Sequence, residues 1–199
     1  MPQGGYKHCD GTMVLVALGS NATSRFGARD VNVRLALAEL QSASVTLCRS
    51  SSLYLTPCFP AGAGPDFVNA AAMLVTSLGP QALLAHLHAI EARFGRERTR
   101  RWGARTLDID LLAHGGAILP DLGEYRRWRA LPASEQMRHA PDKLILPHPR
   151  IQDRAFVLVP LAEIAPQWQH PVDGRTPGQM LAALPVEEAR LIRLLDGAG

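Results

Sequence analysis

Residues 100–112 read Arg100-Arg101-Trp102-Gly103-Ala104-Arg105-Thr106-Leu107-Asp108-Ile109-Asp110-Leu111-Leu112. The second half of this stretch alternates apolar and acidic residues, which predicts a β-strand, because successive side chains on a strand point to opposite faces. Asp108 and Asp110 then project together from one face while their apolar neighbours face the core. Neighbouring carboxylates repel each other unless a cation lies between them. Mg²⁺ often takes one or two carboxylates together with phosphate oxygens, so the stretch predicts a site for a metal-bound polyphosphate.

Arginines are concentrated just before the two aspartates. Six of the thirteen residues from 93 to 105 are arginine, and the planar guanidinium group matches the geometry of phosphate oxygens. A solvated basic loop is one alternative, and a nucleic-acid surface with Trp102 stacking on a base is another. The adjoining carboxylates disfavour nucleic acid, because they would repel its backbone unless metal ions intervened.

The composition sets broad limits. A chain of 199 residues with 47% hydrophobic and 20% charged residues suits one globular domain with a real core. The net charge of +3 suits an anionic ligand without requiring nucleic acid. The three cysteines lack the spacing of a zinc site, so reduced thiols are expected. Neither an apolar run long enough to span a membrane nor a signal-peptide core is present, so we expect a cytoplasmic protein.

Hydrophobic periodicity predicts an α+β fold, a single sheet with helices packed on it. Helices are expected at about 30–41, from Pro80 to a stop at Gly95, and from a capping box that begins at Thr176. Strands are expected at 13–18, 45–55, 67–76, 106–113 and 144–146, with a short apolar element at 155–164. Residues 114–143 lack clear periodicity, which leaves open a functional flap, a short helical insertion or a partly disordered segment.

Four further side chains are candidates for ligand contact. Asn69 lies inside an apolar strand, where its amide needs partners that either a flat heteroaromatic ligand or a neighbouring backbone would supply. His148 lies between two prolines, suited to touching phosphate but as easily structural. Glu91 and His88 lie together at the edge of the apolar stripe of the second helix, where each is a ligand contact or an ordinary rim residue.

Several blocks of the sequence together resemble the 6-hydroxymethyl-7,8-dihydropterin pyrophosphokinase family of folate biosynthesis. The similarity runs from Leu15 to Pro166, and its most specific block is the Trp-Gly-x-Arg-x-x-Asp-hydrophobic-Asp pattern that ends at Asp110. The other blocks are Leu18-Gly19-Ser20-Asn21, Ser52-Leu53-Tyr54-Leu55-Thr56-Pro57, Asp66-Phe67-Val68-Asn69-Ala70, Ile90-Glu91 through Gly95-Arg96, Leu146-Pro147-His148-Pro149 and Arg154-Ala155-Phe156.

The resemblance implies a ferredoxin-like antiparallel sheet with mobile loops that close over two substrates. It also implies transfer of a diphosphate from ATP to the hydroxymethyl oxygen of the dihydropterin, giving AMP, with two Mg²⁺ ions. Asp108 and Asp110 would hold both ions and form the catalytic set with Arg96 and Arg105. The implied pterin contacts are Thr56, Phe59, Phe67, Asn69, Trp102 and Phe156. The implied ATP contacts are His88, Glu91, Arg98, Arg101, Trp102, Arg105, Ile109, His148 and Arg154.

The same resemblance gives the expected organisation and partners. A flexible extension at 1–12 would precede one pyrophosphokinase domain at 13–199, with 114–143 as an insertion or flap. The expected partners are ATP and a dihydropterin, with no nucleic acid or membrane, and the protein is expected to be a monomer. Phe67, Pro149 and His88 depart from the residues usual in the family. A paralogue acting on a modified pterin and a single-stranded nucleic-acid binder are the alternatives.

Overall fold

The computed structural model describes residues 11–58, 64–95, 105–132, 135 and 141–195. The strands in these ranges are β1 (Thr12–Ser20), β2 (Val45–Ser50), β3 (Tyr54–Thr56), β4 (Phe67–Thr76), β5 (Asp108–His114) and β6 (Arg193–Leu194). The helices are α1 (Arg29–Glu39), α2 (Pro80–Arg93), α3 (Leu122–Ala130), α4 (Ala155–Ile164), α5 (Pro177–Leu181) and α6 (Val186–Arg190), with a single 3-10 turn at Ile151–Asp153.

All six strands join one antiparallel sheet in the order β5-β1-β4-β3-β6, and β2 also pairs with β4. β2 and β3 lie end to end along the same edge of β4, so together they take the place of one strand. Counted in this way, the order and the two helical crossovers are those of a ferredoxin-like fold. The predicted α+β architecture is therefore confirmed.

The sheet is covered on both faces, which explains the continuous apolar run of β1. Val14, Val16 and Leu18 enter one core with residues of α1 and α2. Leu15 and Ala17, which alternate with them, enter a second core with residues of α4 and α5. Asp110 of β5 lies opposite Ala17 and so projects from the face that is shared with α4.

Two predicted strands differ from the observed ones. The strand expected at 45–55 is broken between β2 and β3, because the Ser51 hydroxyl accepts the hydrogen bond of the Ala71 N–H at 2.9 Å and turns the chain out of the regular ladder. The strand expected at 144–146 is wrong, since only Leu146 makes a β-bridge, with Leu119.

The predicted helices are confirmed, with ends that follow from their sequences. α2 begins at Pro80 and is followed by Gly95 at a φ of +78°, a left-handed conformation that glycine adopts readily. Thr176 and Gln179 form the predicted capping box of α5. Residues 114–143 contain α3, which starts at an Asp121 cap that accepts a hydrogen bond from the Glu124 N–H. Of the helices in the described ranges, none has the length and apolar character to cross a membrane.

Candidate active site

Strand register brings the predicted metal and pterin residues onto one face of the sheet. Gly19 of β1 lies opposite Asp108 of β5 on one side and opposite Asn69 of β4 on the other. Because neighbouring strands are ~5 Å apart, these backbone positions span roughly 10 Å across three strands. In the next row Ala17 lies opposite Asp110 and Ala71. Two small residues of β1, Gly19 and Ala17, therefore lie between β4 and the two aspartates.

The two aspartates alternate on β5 as the sequence predicts. Asp108 and Asp110 are partly exposed, whereas Ile109 between them is buried in the core beneath α1 and α2. Asp108 Oδ2 forms an ion pair with Arg105 Nη1, and Asp110 Oδ2 accepts from Arg154 Nη1 at 3.0 Å. The two carboxylates therefore project from the same side of β5, and each is paired with an arginine.

A cleft of about 440 Å³ opens beside the aspartates. The charged and polar residues of its lining are both aspartates, His88, His148, Arg150, Arg154, Asp142 and Lys143. The apolar residues of its lining include Leu84, Ile109, Trp128, Leu144 and Ile145. A cleft that offers both ionic and apolar contacts suits a ligand that joins phosphates to an aromatic base.

His148 is a neutral hydrogen-bond donor towards this cleft at neutral pH. Burial lowers its pKa to about 4, and the positive charge of Arg154 acts in the same direction against the opposing effect of Asp110. Its Nδ1 accepts from the Arg150 N–H at 3.2 Å, which leaves the proton on Nε2. A neutral imidazole N–H can bind a phosphate oxygen without adding charge.

The pterin half of the predicted site is assembled on β3 and β4. The pairing of these strands sets Thr56 opposite Phe67, and the Asn69 amide donates to the Thr56 hydroxyl at 2.6 Å. Asn69 and Thr56 are both buried, so the orientation of the amide is fixed. Phe156, at the start of α4, is 39% exposed and lies under the Arg154 guanidinium, with 5.7 Å between the Cζ atom and the ring centroid.

The turn after β1 holds the chain that leads into β5. Asn21 and Arg105 exchange two hydrogen bonds, of 3.0 Å from the Asn21 N–H and 2.7 Å to the Asn21 Oδ1. The hydroxyl of Ser20 and the amide of Asn32 both donate to the Thr106 carbonyl, at 2.7 and 3.1 Å. These contacts fix the starting point of the strand that carries both aspartates.

Glu91, on α2, also holds β5 in position. Its side chain is buried, and Oε1 accepts from the Ile109 N–H at 2.7 Å. In this position the carboxylate ties α2 to β5 between the two aspartates. A direct contact of Glu91 with ATP stays a prediction.

The structure thus places most of the predicted residues that it describes either at the cleft beside β5 or on β3 and β4. Those at the cleft are His88, Asp108, Ile109, Asp110, His148 and Arg154, with Arg105 paired to Asp108. Thr56, Phe67 and Asn69, predicted to contact the pterin, lie together on β3 and β4, and Phe156 lies beside Arg154. Predicted contacts through Phe59, Arg96, Arg98, Arg101 and Trp102 lie outside the described residues.

Sequence reasoning missed four residues that shape the site. Lys143, Arg150 and Trp128 line the cleft, but they stand in or beside stretches without a readable pattern. Gly19 was quoted only as part of a motif, although a Cβ at this position would lie 2.8 Å from Asn69 Oδ1. The sequence carries no signal for this role, because the role depends on the register of β1 with β4 and β5.

Comparison with known proteins gives the same assignment. The sequence model of the 7,8-dihydro-6-hydroxymethylpterin-pyrophosphokinase family matches residues 15–166. A 2-amino-4-hydroxy-6-hydroxymethyldihydropteridine pyrophosphokinase of Synechocystis sp. is 40% identical over 176 residues, which cover 88% of this chain and 76% of the relative. The protein of the same name from Pseudomonas aeruginosa is 39% identical over 87% of this chain and 93% of its own length.

Solved structures agree on the fold. The wild-type HPPK-DHPS of Plasmodium falciparum, solved with pteroate, superposes with a TM-score of 0.61 at 13% sequence identity. The match covers 88% of this chain and 45% of that one, so the chain spans less than half the length of the solved protein. From the family match, the identity with its members and the shared fold it follows that the chain belongs to the 7,8-dihydro-6-hydroxymethylpterin-pyrophosphokinase family.

Proposed function

We propose that this chain transfers the terminal diphosphate of ATP to the hydroxymethyl group of 6-hydroxymethyl-7,8-dihydropterin, as a step of folate biosynthesis. Family membership supports the reaction. The observation that supports this site is the row Asn69–Gly19–Asp108 across three strands. It places the amide proposed to bind the pterin and a carboxylate proposed to bind the metal on one face, with their backbone positions roughly 10 Å apart.

The chemistry asks the protein mainly for alignment and for compensation of charge. The hydroxymethyl oxygen forms a bond to the β-phosphorus of ATP, the bond from that phosphorus to the α-phosphate oxygen breaks, and AMP leaves. Asn69 and Thr56 orient the pterin, and Phe67 and Phe156 border its ring. Arg105 and Arg154 turn from the aspartates to phosphate oxygens when ATP enters, and His148 donates its Nε2 proton to the polyphosphate.

Asp108 and Asp110 are the residues that would hold Mg²⁺. They are hard oxygen donors on one face of one strand, which fits the preference of this ion. The described residues contain no group of three or more His, Cys, Asp or Glu that could hold a metal, and the proposed site rests on this pair of carboxylates. When bound, two ions neutralise phosphate charge and help to align the reacting oxygen.

The remaining roles are proposals of the same kind. Glu91, His88 and Ile109 line the nucleotide side, and Phe59, Arg96, Arg98, Arg101 and Trp102 complete the site from segments outside the described residues. Residues 13–199 form the working domain, while the extension predicted at 1–12 lies outside the described residues up to residue 10, and β1 begins at Thr12. We also propose that the protein acts as a cytoplasmic monomer.

The test is a product assay with the purified chain, ATP, Mg²⁺ and 6-hydroxymethyl-7,8-dihydropterin. We expect AMP to form in equal amount to the pterin diphosphate, and EDTA to abolish the reaction. ADP as the nucleotide product would refute diphosphate transfer. A preference for a pterin modified on its side chain, with AMP still formed, would show instead that the protein is a paralogue with a different acceptor.

A further inference from the structure

Helix α3 supplies a wall of the nucleotide cleft from a part of the chain that carries no family motif. Trp128 lines the same cleft as His88 and Asp110. Its side chain is 8% exposed and packs in a small apolar cluster with Tyr125 and Ile145, and Ile145 lines the cleft as well. This cluster is separate from the two cores of the sheet, and two of its members, Trp128 and Ile145, line the cleft.

The orientation of the Trp128 ring is fixed by a polar contact at its edge. Its Nε1–H donates to Glu124 Oε1 at 2.8 Å, one helical turn earlier. Arg127 binds the same carboxylate and lies 5.9 Å from the centroid of the indole ring. The one polar atom of the indole is therefore satisfied within α3, which leaves an apolar aromatic surface for the wall.

A buried polar network holds α3 against the chain beyond residue 166. The Tyr125 hydroxyl lies 3.1 Å from His170 Nε2, and both residues are buried. Arg129 donates to the Tyr125 hydroxyl at 3.3 Å and to Asp173 Oδ2 at 2.7 Å. Asp173 Oδ1 lies 2.9 Å from His170 Nδ1, and Arg175 also binds Asp173. Such a network fixes one arrangement, because its buried groups lose their partners when α3 moves.

We propose that Trp128 is a specificity-determining residue for the nucleotide, whose base packs against the apolar wall formed by Trp128, Leu144 and Ile145. Tyr125, Arg129, His170 and Asp173 are positioning residues that hold this wall in place. The aspartates and Arg154 line the same cleft and suit the phosphates, so the flat base is assigned to the apolar wall. This inference rests on the proposed function, since it assumes that ATP is the nucleotide.

The first test measures nucleotide binding in the full chain by calorimetry, with Mg²⁺ and a non-hydrolysable ATP analogue. Contact between a base and an aromatic side chain is worth ~1–3 kcal/mol, so Trp128→Ala should weaken binding roughly tenfold or more. Trp128→Phe should retain most of the affinity, and the Kd for the pterin should not change in either variant. If Trp128→Ala does not fold, Trp128→Leu replaces it, because leucine fills the cluster without an aromatic face.

The second test separates positioning from general stability. Arg129→Gln should raise the KM for ATP several-fold with little effect on kcat at saturating ATP. It should also lower the ratio of kcat/KM for ATP to kcat/KM for GTP. Arg126→Gln removes the same charge from the exposed side of α3 and should stay within about twofold of the wild type. Arg129→Lys should restore part of the affinity.

Two outcomes would overturn the inference. One is an unchanged nucleotide Kd in Trp128→Ala or Trp128→Leu while the wild type still makes AMP. The other is an equal effect of Arg126→Gln and Arg129→Gln. A wild type that makes no AMP would instead refute the proposed function, so the two failures are distinguishable.

Discussion

Gly19 separates the two halves of the site, and its lack of a side chain allows them to lie on one face. A Cβ here would lie 2.8 Å from Asn69 Oδ1, closer than non-bonded atoms normally approach. Asn69 has little freedom to move away, because its Nδ2 is bound to Thr56 at 2.6 Å in a buried setting. The effect of Gly19 therefore depends on its neighbours across the strands. The same holds for Asp108 and Asp110, whose neighbours on β1 are set by the strand register.

Gly19→Ala should weaken pterin binding roughly tenfold, because the added Cβ crowds the Asn69 amide, which is proposed to bind the pterin. The strain of such overpacking is typically ~1–3 kcal/mol. The Kd for the ATP analogue should change much less. Calorimetric titration with the pterin checks this. Gly116→Ala is the matched control, because a Cβ there has open space around it. Equal pterin affinity in Gly19→Ala and the wild type would contradict the role given to this row.

Asp110→Asn should lower kcat by roughly a hundredfold or more while the protein stays folded, because the variant loses the negative charge that is proposed to bind the cation on the transferring group. Steady-state AMP formation and a thermal melt measure the two effects. Glu187→Gln, a change of the same charge at an exposed side chain of α6, should leave the rate unchanged. Near-normal turnover in Asp110→Asn would show that the metal assignment is wrong.

At the scale of secondary-structure elements, a few hydrogen bonds between neighbouring elements fix the position of the site. The Glu91 carboxylate joins α2 to β5 through the Ile109 N–H, at the one residue that separates the two aspartates. On the other side, the α3 network joins residues 125–129 to residues 170–175. In both places a buried polar group, and not apolar area alone, decides where the element lies.

Glu91→Ala should lower the free energy of unfolding by ~1–3 kcal/mol, because it leaves the buried Ile109 N–H without its acceptor. Glu91→Gln keeps an acceptor oxygen at the same reach and should recover much of the loss. Urea unfolding of the three proteins gives the comparison. A fully stable Glu91→Ala would mean that the link between α2 and β5 contributes little.

His170 should make the protein less stable in acid. Burial lowers the pKa of His170 below its usual value of 6.5, despite the opposing charge of Asp173. Below about pH 6.5 the unfolded chain therefore binds a proton that the folded chain does not. Stability is full above this pH and falls as the pH drops towards the folded-state pKa, by at most ~1.4 kcal/mol per pH unit for one group.

The check is urea unfolding across this range for the wild type and His170→Gln, which does not titrate. The variant should lose less stability on acidification, although its absolute stability is lower. Parallel pH dependences in the two proteins would show that His170 is not the group that resists protonation.

At the scale of the whole molecule, the sequence predicts what depends on local pattern. The alternation around Asp108 and Asp110, the limits of α2, the capping box of α5 and an α+β sheet could all be predicted from local pattern, whereas the ferredoxin-like topology was implied by the family resemblance. The break between β2 and β3 was not readable, since it depends on a hydrogen bond from Ala71 to the Ser51 hydroxyl. The row through Gly19 depends on strand register, which no single segment reveals.

Helix α3 shows the same limit. It buries only Tyr125 and Trp128 among arginines, so its apolar stripe is too narrow to stand out as a period in the sequence. Its place beside the cleft depends on residues 170–175, more than forty positions away along the chain. Helices of this kind become visible only when their tertiary partners are known.

The most direct measurement of the central claim follows the β-phosphorus of ATP. The purified chain is incubated with Mg²⁺, 6-hydroxymethyl-7,8-dihydropterin and ATP labelled at that atom, and the products are separated. We expect the label in the pterin product and none in AMP, because the two terminal phosphates move together. Label that remains in a nucleotide diphosphate after turnover would contradict the account.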